Sequence, residues 1–515
     1  MNHSFAYLAV LVGPAFLAAC GGVAEDSGAN SSPTPNEEIG TAELPLLGVG
    51  TQWPNGVVPV CWETGLASDG SGQAVNPHSR PDWDTLSAVV RDTMRETWGR
   101  AANIQFAWFQ DCPANSSRGN AGYLAINMGG GSNASCGNTG IGYQSGQWTR
   151  MRLDTGCVYG NEDVWGEFRG QVIHETGHAL GFQHEWDSAK NPHDTGCVVG
   201  DSNSQNTVGN YYGTDFDPQS IMNYSYDQGC PLPRPFRLSA WDIVGAQNAY
   251  GRHPAGSLVS AVGSCLDVPL PYQSGNPLQI FQCKGSNNQV WSFPRRDGFL
   301  FTQAQAAYVD VPNGSATPGL GLNAHSRNIP TTANQTWHTS TGVEIRGVGD
   351  KCLDIPYGNI APNQLVQIFE CNGGQNQRWN INSDGTILPA ADASYCLDVP
   401  SGNATSGNRL QIYPCNGGSN QRFTFTNTGE IKFSNMCLDA IGGRPADESQ
   451  IQLYQCKGAG TSKVNQQWHL TAAVYGGNGL CVEVQNGSSL NHTAIQQNYC
   501  TGEKAQQWDY YFKNF

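Results

Sequence analysis

The chain has 515 residues, a length that predicts about three domains. Charged residues make up only 13% of it, and the formal net charge is −15. Nucleic acids and anionic membrane surfaces are bound through clustered Lys and Arg. The sequence has no such cluster, so both are excluded as direct partners.

The first twenty residues, MNHSFAYLAVLVGPAFLAAC, have the layout of an export signal. They are apolar from Phe5 to Ala19, and this stretch is too short to predict a membrane span. Leu17-Ala-Ala-Cys20 resembles the bacterial lipobox, which implies lipidation of Cys20 and membrane attachment only through that anchor. The alternative is a cleaved signal with an incidental Cys. We therefore expect an exported protein, either a bacterial outer-membrane or cell-surface lipoprotein or a secreted one.

Residues 21–50 are rich in Gly, Ser, Pro, Asn and Glu and contain too little apolar material to form a core. They are predicted to be a flexible linker. The first folded domain is predicted to follow over 51–253.

The first domain combines predicted strands with amphipathic helices. WPNGVVPVCWE at 53–63 predicts a strand, and Asp84 is the predicted N-cap of a helix that ends at Gly99. Alternating apolar residues predict three more strands, at 104–108, 123–128 and 151–153. A helix over 167–180 and another over 238–251 complete an α/β (α+β) domain.

The helix predicted over 167–180 carries His174 and His178 four residues apart, so both imidazoles point to the same side. Neutral imidazole nitrogen is a preferred ligand of Zn²⁺. Glu175 is near enough to reach a water on the metal without ligating it. Gly181 can end the helix and turn the chain back, and His184 then completes a three-histidine set.

Two more features of this region resemble a known protease class. Ser220-Ile-Met222-Asn-Tyr224 resembles the Met-turn below the zinc of metzincin proteases. Within that class, Gly181-Phe before the third His and Glu185 after it resemble the astacin family. The resemblance covers about 53–251. It implies a zinc metalloendopeptidase with one Zn²⁺ per chain that hydrolyses peptide bonds of proteins or glycoproteins.

The resemblance also implies a role for each residue of the motif. Glu175 is the general base and Tyr224 helps to stabilise the transition state; Asn223 departs from the family pattern, which usually has His there. Glu185 is expected to pair with a new N-terminus produced by cleavage near Leu44. The resemblance makes His174, His178 and His184 the zinc ligands. It makes Met222 the residue beneath the metal.

The chain has 17 cysteines, and an even number remains when Cys20 is set aside, as expected for a disulfide-bonded exported protein. In the first domain the astacin resemblance pairs Cys136 with Cys157. The other four cysteines allow three pairings. We favour Cys61–Cys112 and Cys197–Cys230.

From residue 255 onward the sequence repeats six times with a period of 41 to 44 residues. Most units begin with a Cys-Leu-Asp motif, have a second Cys 18 or 19 residues later, and close on Gln-x-aromatic. These units resemble the ricin-type lectin family, in which three units build one β-trefoil. The resemblance implies two all-β trefoils, 255–383 and 384–515. It also implies five disulfides within units: Cys265–Cys283, Cys352–Cys371, Cys396–Cys415, Cys437–Cys456 and Cys481–Cys500.

In the ricin-type lectin family a sugar is bound by the Asp of the first motif, an aromatic residue two before the second Cys, and the Asn before Gln-x-Trp. The aromatic ring stacks on sugar C–H groups while the polar side chains bond hydroxyls. Units four and five match this pattern best, with Asp398, Tyr413, Asn420 and Asp439, Tyr454, Asn465. Units one and three offer Asp267, Phe281, Asn288 and Asp354, Phe369, Asn376.

Unit six carries Glu483, Asn498 and Ala505 at the three positions and is expected not to bind sugar. The expected ligands are galactoside-like or xylan-like glycans. The sequence thus predicts a multidomain exported zinc protease that lectin domains direct to glycans. The alternative is a surface lectin or adhesin whose first domain is catalytically silent.

Overall fold

A computed structural model describes most of the chain beyond the N-terminal segment. The described residues are 46–48, 51–63, 67–68, 74–75, 82–113, 122–129, 137–154, 164–184, 210–212, 217, 219–222, 236–292, 298, 300–302, 306–328, 332–339, 342–458 and 463–512. The predicted signal with Cys20, the cleavage position near Leu44, and Glu185 lie outside these residues.

The strands of the first domain are β1 Leu46–Gly48, β2 Val57–Trp62, β3 Ala67–Ser68, β4 Ala74–Val75, β5 Gln105–Asp111, β6 Leu124–Gly129, β7 Gly137–Thr139, β8 Thr149–Asp154 and β9 Asn210–Tyr212. Five of them form the central sheet, in the order β5-β2-β6-β8-β7. Four of these strands pair in parallel, and β7 joins the edge beside β8 in the antiparallel direction.

Three α-helices accompany this sheet: α1 Trp83–Met94, α2 Val164–Ala179 and α3 Ala240–Tyr250. Helix α1 continues as one π-helical segment over Arg95–Gly99. Asp84 lies in the first turn of α1, so the prediction that it caps this helix was wrong; the N-cap position is Asp82. Helix α3 begins with a capping box in which Ser239 and Asp242 bond each other's backbone N–H groups, which fixes its start.

Two predicted features of the first domain differ in the structure. Trp108 was expected to alternate inward with Ile104 and Phe106, which are both buried, but it is 59% exposed. A bulge between β2 and β5 is the reason: Trp108 and Phe109 both have positive φ, and the extra residue turns the Trp108 side chain outward. Leu46–Gly48 pairs with β9, so a strand occupies part of the linker predicted over 21–50.

Residues 258–510 contain short strands that follow the six predicted units. Units one to three comprise Leu258–Ser260, Cys265–Asp267, Asn276–Pro277, Gln279–Phe281, Trp291–Ser292; Phe301–Thr302, Ala307–Asp310, Leu320–Gly321, Asn323–His325, Trp337–Thr339; and Glu344–Arg346, Cys352–Asp354, Gln364–Leu365, Gln367–Phe369, Trp379–Ile381. Units four to six comprise Ile387–Pro389, Tyr395–Asp398, Gln411–Pro414, Thr424–Phe425; Ile431–Phe433, Met436–Ala440, Ile451–Gln455, His469–Ala472; and Val474–Gly476, Cys481–Val484, Ile495–Asn498, Trp508–Tyr510.

Strand pairing groups the six units into two closed sets of three, but not in their order along the chain. The last strand of unit two pairs with the first strand of unit six, and the last strand of unit six pairs with the first of unit one. Units three, four and five close on one another in the same way. We call units one, two and six the outer ring and units three, four and five the inner ring. This nesting differs from the predicted division into 255–383 and 384–515.

The physical reason for the nesting is the connection between units five and six. Only Ala473 separates the strand that ends at Ala472 from the one that begins at Val474. A tight hairpin needs about two residues in its turn, so these two strands cannot pair with each other. The chain therefore passes from the inner ring to the outer ring at this point.

The recurring Gln-x-Trp signature has a structural role. Its tryptophans are buried, and each donates its indole N–H to the backbone carbonyl of the middle residue of the first motif in its unit, as Trp379 does to Leu353 at 2.9 Å. One apolar core cluster runs through both rings. Five disulfides join the first and second Cys of their units, and Cys61–Cys112 is present in the first domain.

The first domain contacts both rings through partly or fully buried polar side chains. Arg100, which follows the π-helical segment, forms a two-pronged ion pair with Asp509 of the outer ring at 2.7 and 3.0 Å. Arg252 donates to Nδ1 of His469 in the inner ring at 2.7 Å. Burial alone would raise the pKa of Asp509, but the adjacent Arg100 lowers it to about 2.

Within the described part of the chain, no helix combines the length and apolar character that a membrane crossing requires.

Candidate metal centre and carbohydrate sites

Helix α2 and the turn after it bring the three predicted metal-binding histidines together. His174 and His178 project from one side of α2, and Gly181, with φ of 102°, reverses the chain so that His184 returns to them. One nitrogen of each ring lies within 4.8 Å of the others. The Nε2 atoms of His178 and His184 are 2.9 Å apart. The motif and the structure therefore place the same three imidazoles at one point.

Two backbone carbonyls set the orientation of the rings on α2. Nδ1 of His174 lies 2.7 Å from the carbonyl oxygen of Ile221, and Nδ1 of His178 lies 2.8 Å from that of Phe182. A carbonyl only accepts, so each Nδ1 carries the proton and each Nε2 offers a lone pair. Burial lowers the pKa of His178 and His184, which favours neutral rings. Three neutral imidazoles, two of them oriented by backbone carbonyls, fit a divalent zinc ion.

Glu175 lies beside the histidines and is 4% exposed. The hydroxyl of Thr139, on edge strand β7, donates to its Oε2 at 2.7 Å. Burial raises the pKa of the Glu175 carboxyl to about 7, although the hydrogen bond from Thr139 acts in the opposite direction. Gly137 on the same strand packs against this carboxyl group and leaves no room for a side chain. Strand β7 and Thr139 were both missed in the sequence, because no motif marks them.

Met222 is fully buried and packs against α2, the helix that carries two of the histidines. A side chain on Gly177 would collide with its sulfur, so the glycine lets this turn pack closely against α2. Asp242 on α3 fixes the turn by accepting from Ser220 Oγ at 2.6 Å and from the Ile221 N–H at 3.0 Å. Burial, together with the nearby Asp217, raises the pKa of Asp242 to about 7.

Several predicted residues of this domain lie outside the described residues. They are Asn223, Tyr224, Cys136, Cys157, Cys197 and Cys230.

In the rings, the Asp of each predicted sugar site is buried among amide donors. Asp398 accepts from Asn420 at 2.6 Å, from Gln421 at 2.9 Å and from Gln411 at 2.9 Å. The same arrangement recurs around Asp267 with Asn288, Asp354 with Asn376, and Asp439 with Asn465. Burial raises the pKa of Asp267, Asp354 and Asp439, while the amide hydrogen bonds act to lower it.

The third amide donor in each unit was not predicted. It comes from Gln279, Gln367, Gln411 and Gln452. Each precedes the predicted aromatic residue by two positions, so the repeat itself contained the signal. This glutamine fixes the second oxygen of the Asp and adds a polar group beside the aromatic residue.

The aromatic residues divide the four units into two kinds. Tyr413 and Tyr454 are 37% and 39% exposed, so a ring face and a hydroxyl are accessible. Phe281 is half-buried. The ammonium of Lys284 lies over its ring, 4.4 Å from the ring centre, so a charged group already contacts one face of the ring. Phe369 is half-buried as well. Units four and five therefore have the more accessible sites.

Unit six has a different arrangement. Glu483 accepts from Gln496, Asn498 and Gln506, so its carboxylate is bound within the unit. Asn498, which replaces the aromatic residue, is one of these donors and offers no ring for stacking.

Comparison with known proteins supports the predicted resemblance of the repeat units to ricin-type lectins. Residues 341–404 and 389–508 match the family model of the ricin-type beta-trefoil lectin domain. The chain is similar to the ribosome-inactivating protein PMRIPm of Polygonatum multiflorum, with 29% identity over 172 residues, 30% of this chain and 27% of that protein. It is also similar to beta-galactoside-specific lectin 2 of Viscum album, with 26% identity over 134 residues, 25% of this chain and 22% of that protein. Residues 341–508 of the chain therefore contain ricin-type beta-trefoil lectin sequence.

A third similarity concerns a protease. The zinc metalloproteinase nas-2 of Caenorhabditis elegans is 35% identical over 107 residues, which are 20% of this chain and 33% of that protein. The aligned regions thus span a third or less of the length of each of these three relatives.

Proposed function

We propose that this protein is an exported zinc-dependent endopeptidase that its lectin rings direct to glycan-bearing proteins. The observation that carries the proposal is the convergence of three imidazole nitrogens within 4.8 Å, next to the buried carboxyl group of Glu175. The partial similarity to a zinc metalloproteinase supports the same conclusion. The sequence motifs imply an astacin-like activity, and the proposal assigns this activity to the first domain as a whole.

His174, His178 and His184 would hold one Zn²⁺ per chain. When bound, the zinc would supply a Lewis acid that polarises a peptide carbonyl and lowers the pKa of a water molecule. Glu175 would accept a proton from the attacking water at a carboxylate oxygen and deliver it to the leaving amine. Burial raises the pKa of this carboxyl, which favours its uptake of a proton from water. Thr139 would hold the carboxylate in position through its 2.7 Å hydrogen bond.

Further parts of the proposal concern residues outside the described ones. Tyr224 would donate a hydrogen bond to the oxygen that becomes negatively charged in the transition state. Cys20 would carry a lipid anchor, or the protein would be secreted without one. Cleavage near Leu44 would release the chain from the anchor and supply the N-terminus that pairs with Glu185. Cys136–Cys157 and Cys197–Cys230 are the proposed remaining disulfides.

The lectin rings would bind neutral galactosides through units four and five. Both units combine a buried carboxylate, three amides and an exposed tyrosine. The similarity to a beta-galactoside-specific lectin supports this class of sugar. Substrates would then be glycoproteins, or proteins embedded in polysaccharide.

The protease proposal is tested with Glu175→Gln, which keeps the shape of the side chain but cannot take up a proton. Loss of a general base lowers rates by about 100-fold or more. Cleavage of labelled casein should fall by at least that factor, while zinc content stays near that of the unmodified protein. Glu167→Gln, at the start of the same helix, is the control and should cleave normally. An unmodified protein that neither binds zinc nor cleaves would contradict the proposal and leave a lectin or adhesin.

The galactoside proposal is tested by replacing both Tyr413 and Tyr454 with Ala. Because both rings are exposed, the fold should persist while binding to a galactose column is lost. Tyr499→Ala is the control, since Tyr499 is 67% exposed on unit six, which is not expected to bind sugar. Retention of the double variant on the column would overturn the assignment to units four and five.

A further inference from the structure

A cleft of about 600 Å³ lies at the seam between the inner and outer rings. Its inner-ring wall includes Glu344, Arg346 and Arg378, and its outer-ring wall includes Tyr475 and Gln507. The cleft is therefore formed by the nesting of the rings and has no counterpart within a single unit. Its volume falls in the range of about 300–1,000 Å³ that is usual for small-molecule sites. It is distinct from the Asp-aromatic-Asn sites of units four and five.

Two arginines, Arg346 and Arg378, and one carboxylate, Glu344, line this cleft. Arg346 donates to Glu344 at 2.6 and 2.9 Å and to Asp350 at 2.7 Å, so its guanidinium is engaged within the protein. Arg378 forms an ion pair with Glu344 at 3.0 Å, and its side chain remains 27% exposed.

Arg378 is therefore the group that can bind an anion. A guanidinium has five N–H donors, and among the described residues Arg378 has this one carboxylate partner. Glu344 holds the Arg378 side chain in place. Less side-chain conformational entropy is therefore lost when a ligand binds to Arg378. Planar guanidinium groups match the geometry of carboxylates particularly well.

The opposite wall supplies groups that recognise a sugar ring. Tyr475 is half-buried, and its ring is held by that of His338, with centres 5.4 Å apart. Gln507 on the same wall and Gln375 on the inner-ring wall place amides at the cleft. The space beside Gly373 on the inner-ring wall is open, since a methyl group added there would meet no atom within 4 Å. Aromatic faces stack on pyranose C–H groups, and amides bond hydroxyls. The cleft thus combines a site for an anion with a site for a sugar ring.

We propose that this cleft binds a carboxylated sugar residue, such as a uronate within an acidic glycan. The carboxylate pairs with Arg378, the pyranose ring lies against Tyr475, and the hydroxyls meet the glutamine amides. The protein then recognises two kinds of glycan: neutral galactosides at units four and five, and acidic chains at the seam.

The test is calorimetric titration of the full chain with trigalacturonate and with the matched neutral galactotriose. Arg378→Gln should weaken trigalacturonate binding by about tenfold or more, the effect expected for the loss of a charge-assisted hydrogen bond. Binding of the neutral trisaccharide should be unchanged, and Arg346 would still pair with Glu344, so the fold should persist. Tyr475→Ala should also weaken the binding of trigalacturonate while leaving the binding of galactotriose unchanged.

Arg422→Gln is the matched control. Arg422 follows the Gln of unit four as Arg378 follows the Gln of unit three, but it is 42% exposed and pairs with Asp384 away from the cleft. This variant should bind trigalacturonate normally. The proposal is overturned if the unmodified protein does not bind trigalacturonate, if Arg378→Gln binds it as well as Arg422→Gln does, or if Arg378→Gln loses acidic and neutral binding equally.

Discussion

At the scale of single residues, the proposed general base depends on a hydroxyl from the edge of the sheet. Thr139 donates to Glu175 Oε2 at 2.7 Å, and Gly137 packs against the same carboxyl group. These contacts limit the positions that the carboxylate can adopt beside the histidines. Thr139 is thus a positioning residue that acts through Glu175.

Thr139→Val keeps the size of the side chain but removes its hydroxyl. We expect kcat to fall by about tenfold to a hundredfold, since hydrogen bonds to charged groups contribute about 1.5–3 kcal/mol. KM should change little, because the substrate does not contact this hydroxyl in the proposed reaction. Steady-state kinetics on a peptide substrate measure both constants.

Thr139→Ser is the matched control and should restore most of the rate. Equal kcat values for the Val and Ser variants would show that the hydroxyl does not position the base.

The motif predicted the three histidines and Glu175 because their spacing on one helix is local. Thr139 was not predictable, since its position beside Glu175 depends on where β7 lies in the sheet. Gln411 and its equivalents were visible in the repeat but were overlooked in favour of the neighbouring aromatic residues.

At the scale of elements, helix α3 controls the turn beneath the proposed zinc. Asp242 accepts from the backbone N–H groups of Ile221 and Ser239 and from the hydroxyl of Ser220. One carboxylate therefore caps its own helix and fixes the turn that carries Met222.

Asp242→Ala should destabilise the first domain and weaken zinc binding. It leaves buried N–H groups without an acceptor, at a cost of about 1–3 kcal/mol each. Thermal unfolding and zinc titration measure the two effects. Asp242→Asn should be milder, because its oxygen can still accept from the N–H groups while its amide donates to Ser220.

The control for this helix experiment is Asp84→Ala, since Asp84 is exposed in the first turn of α1. If Asp242→Ala matched that control in both stability and zinc affinity, α3 would not support the turn.

The elements themselves were predicted well where apolar periodicity was strong. Helix α2 covers Val164–Ala179 where 167–180 was predicted, and β2 and β6 lie within or close to their predicted segments. The exposure of Trp108 was not predicted, because a bulge changes the facing of side chains without changing the residue pattern.

At the scale of the whole molecule, the six units form nested rings. The shared repeat pattern does not specify which units pair their first and last strands, so periodicity could not reveal the grouping. The single residue between units five and six does exclude a hairpin there. That spacing was present in the sequence, but its meaning depends on the exact strand ends.

A designed disulfide tests the nesting. His338 in unit two lies directly opposite Tyr475 in unit six, and such pairs have Cα atoms about 4.5–5.5 Å apart, within reach of a disulfide. His338→Cys combined with Tyr475→Cys should form a cross-link that peptide mass mapping detects.

The complementary pair is His338→Cys with Arg346→Cys. Arg346 occupies in unit three the position that Tyr475 occupies in unit six, since each lies opposite the first Cys of its unit. A tandem arrangement would cross-link this second pair instead of the first, and that result would contradict the nested rings.

The most direct test of the central claim, that three histidines hold a zinc on which peptide cleavage depends, is a metal-removal titration of the full chain. Zinc is stripped with a chelator, the chelator is removed, and casein cleavage is measured as Zn²⁺ is added back. The proposal predicts that cleavage is lost on stripping and returns in full at about one equivalent of zinc, matching three imidazole ligands for one ion. Cleavage that survives complete removal of zinc, or a protein that binds one equivalent yet never cleaves even when its chain begins near Leu44, would contradict it.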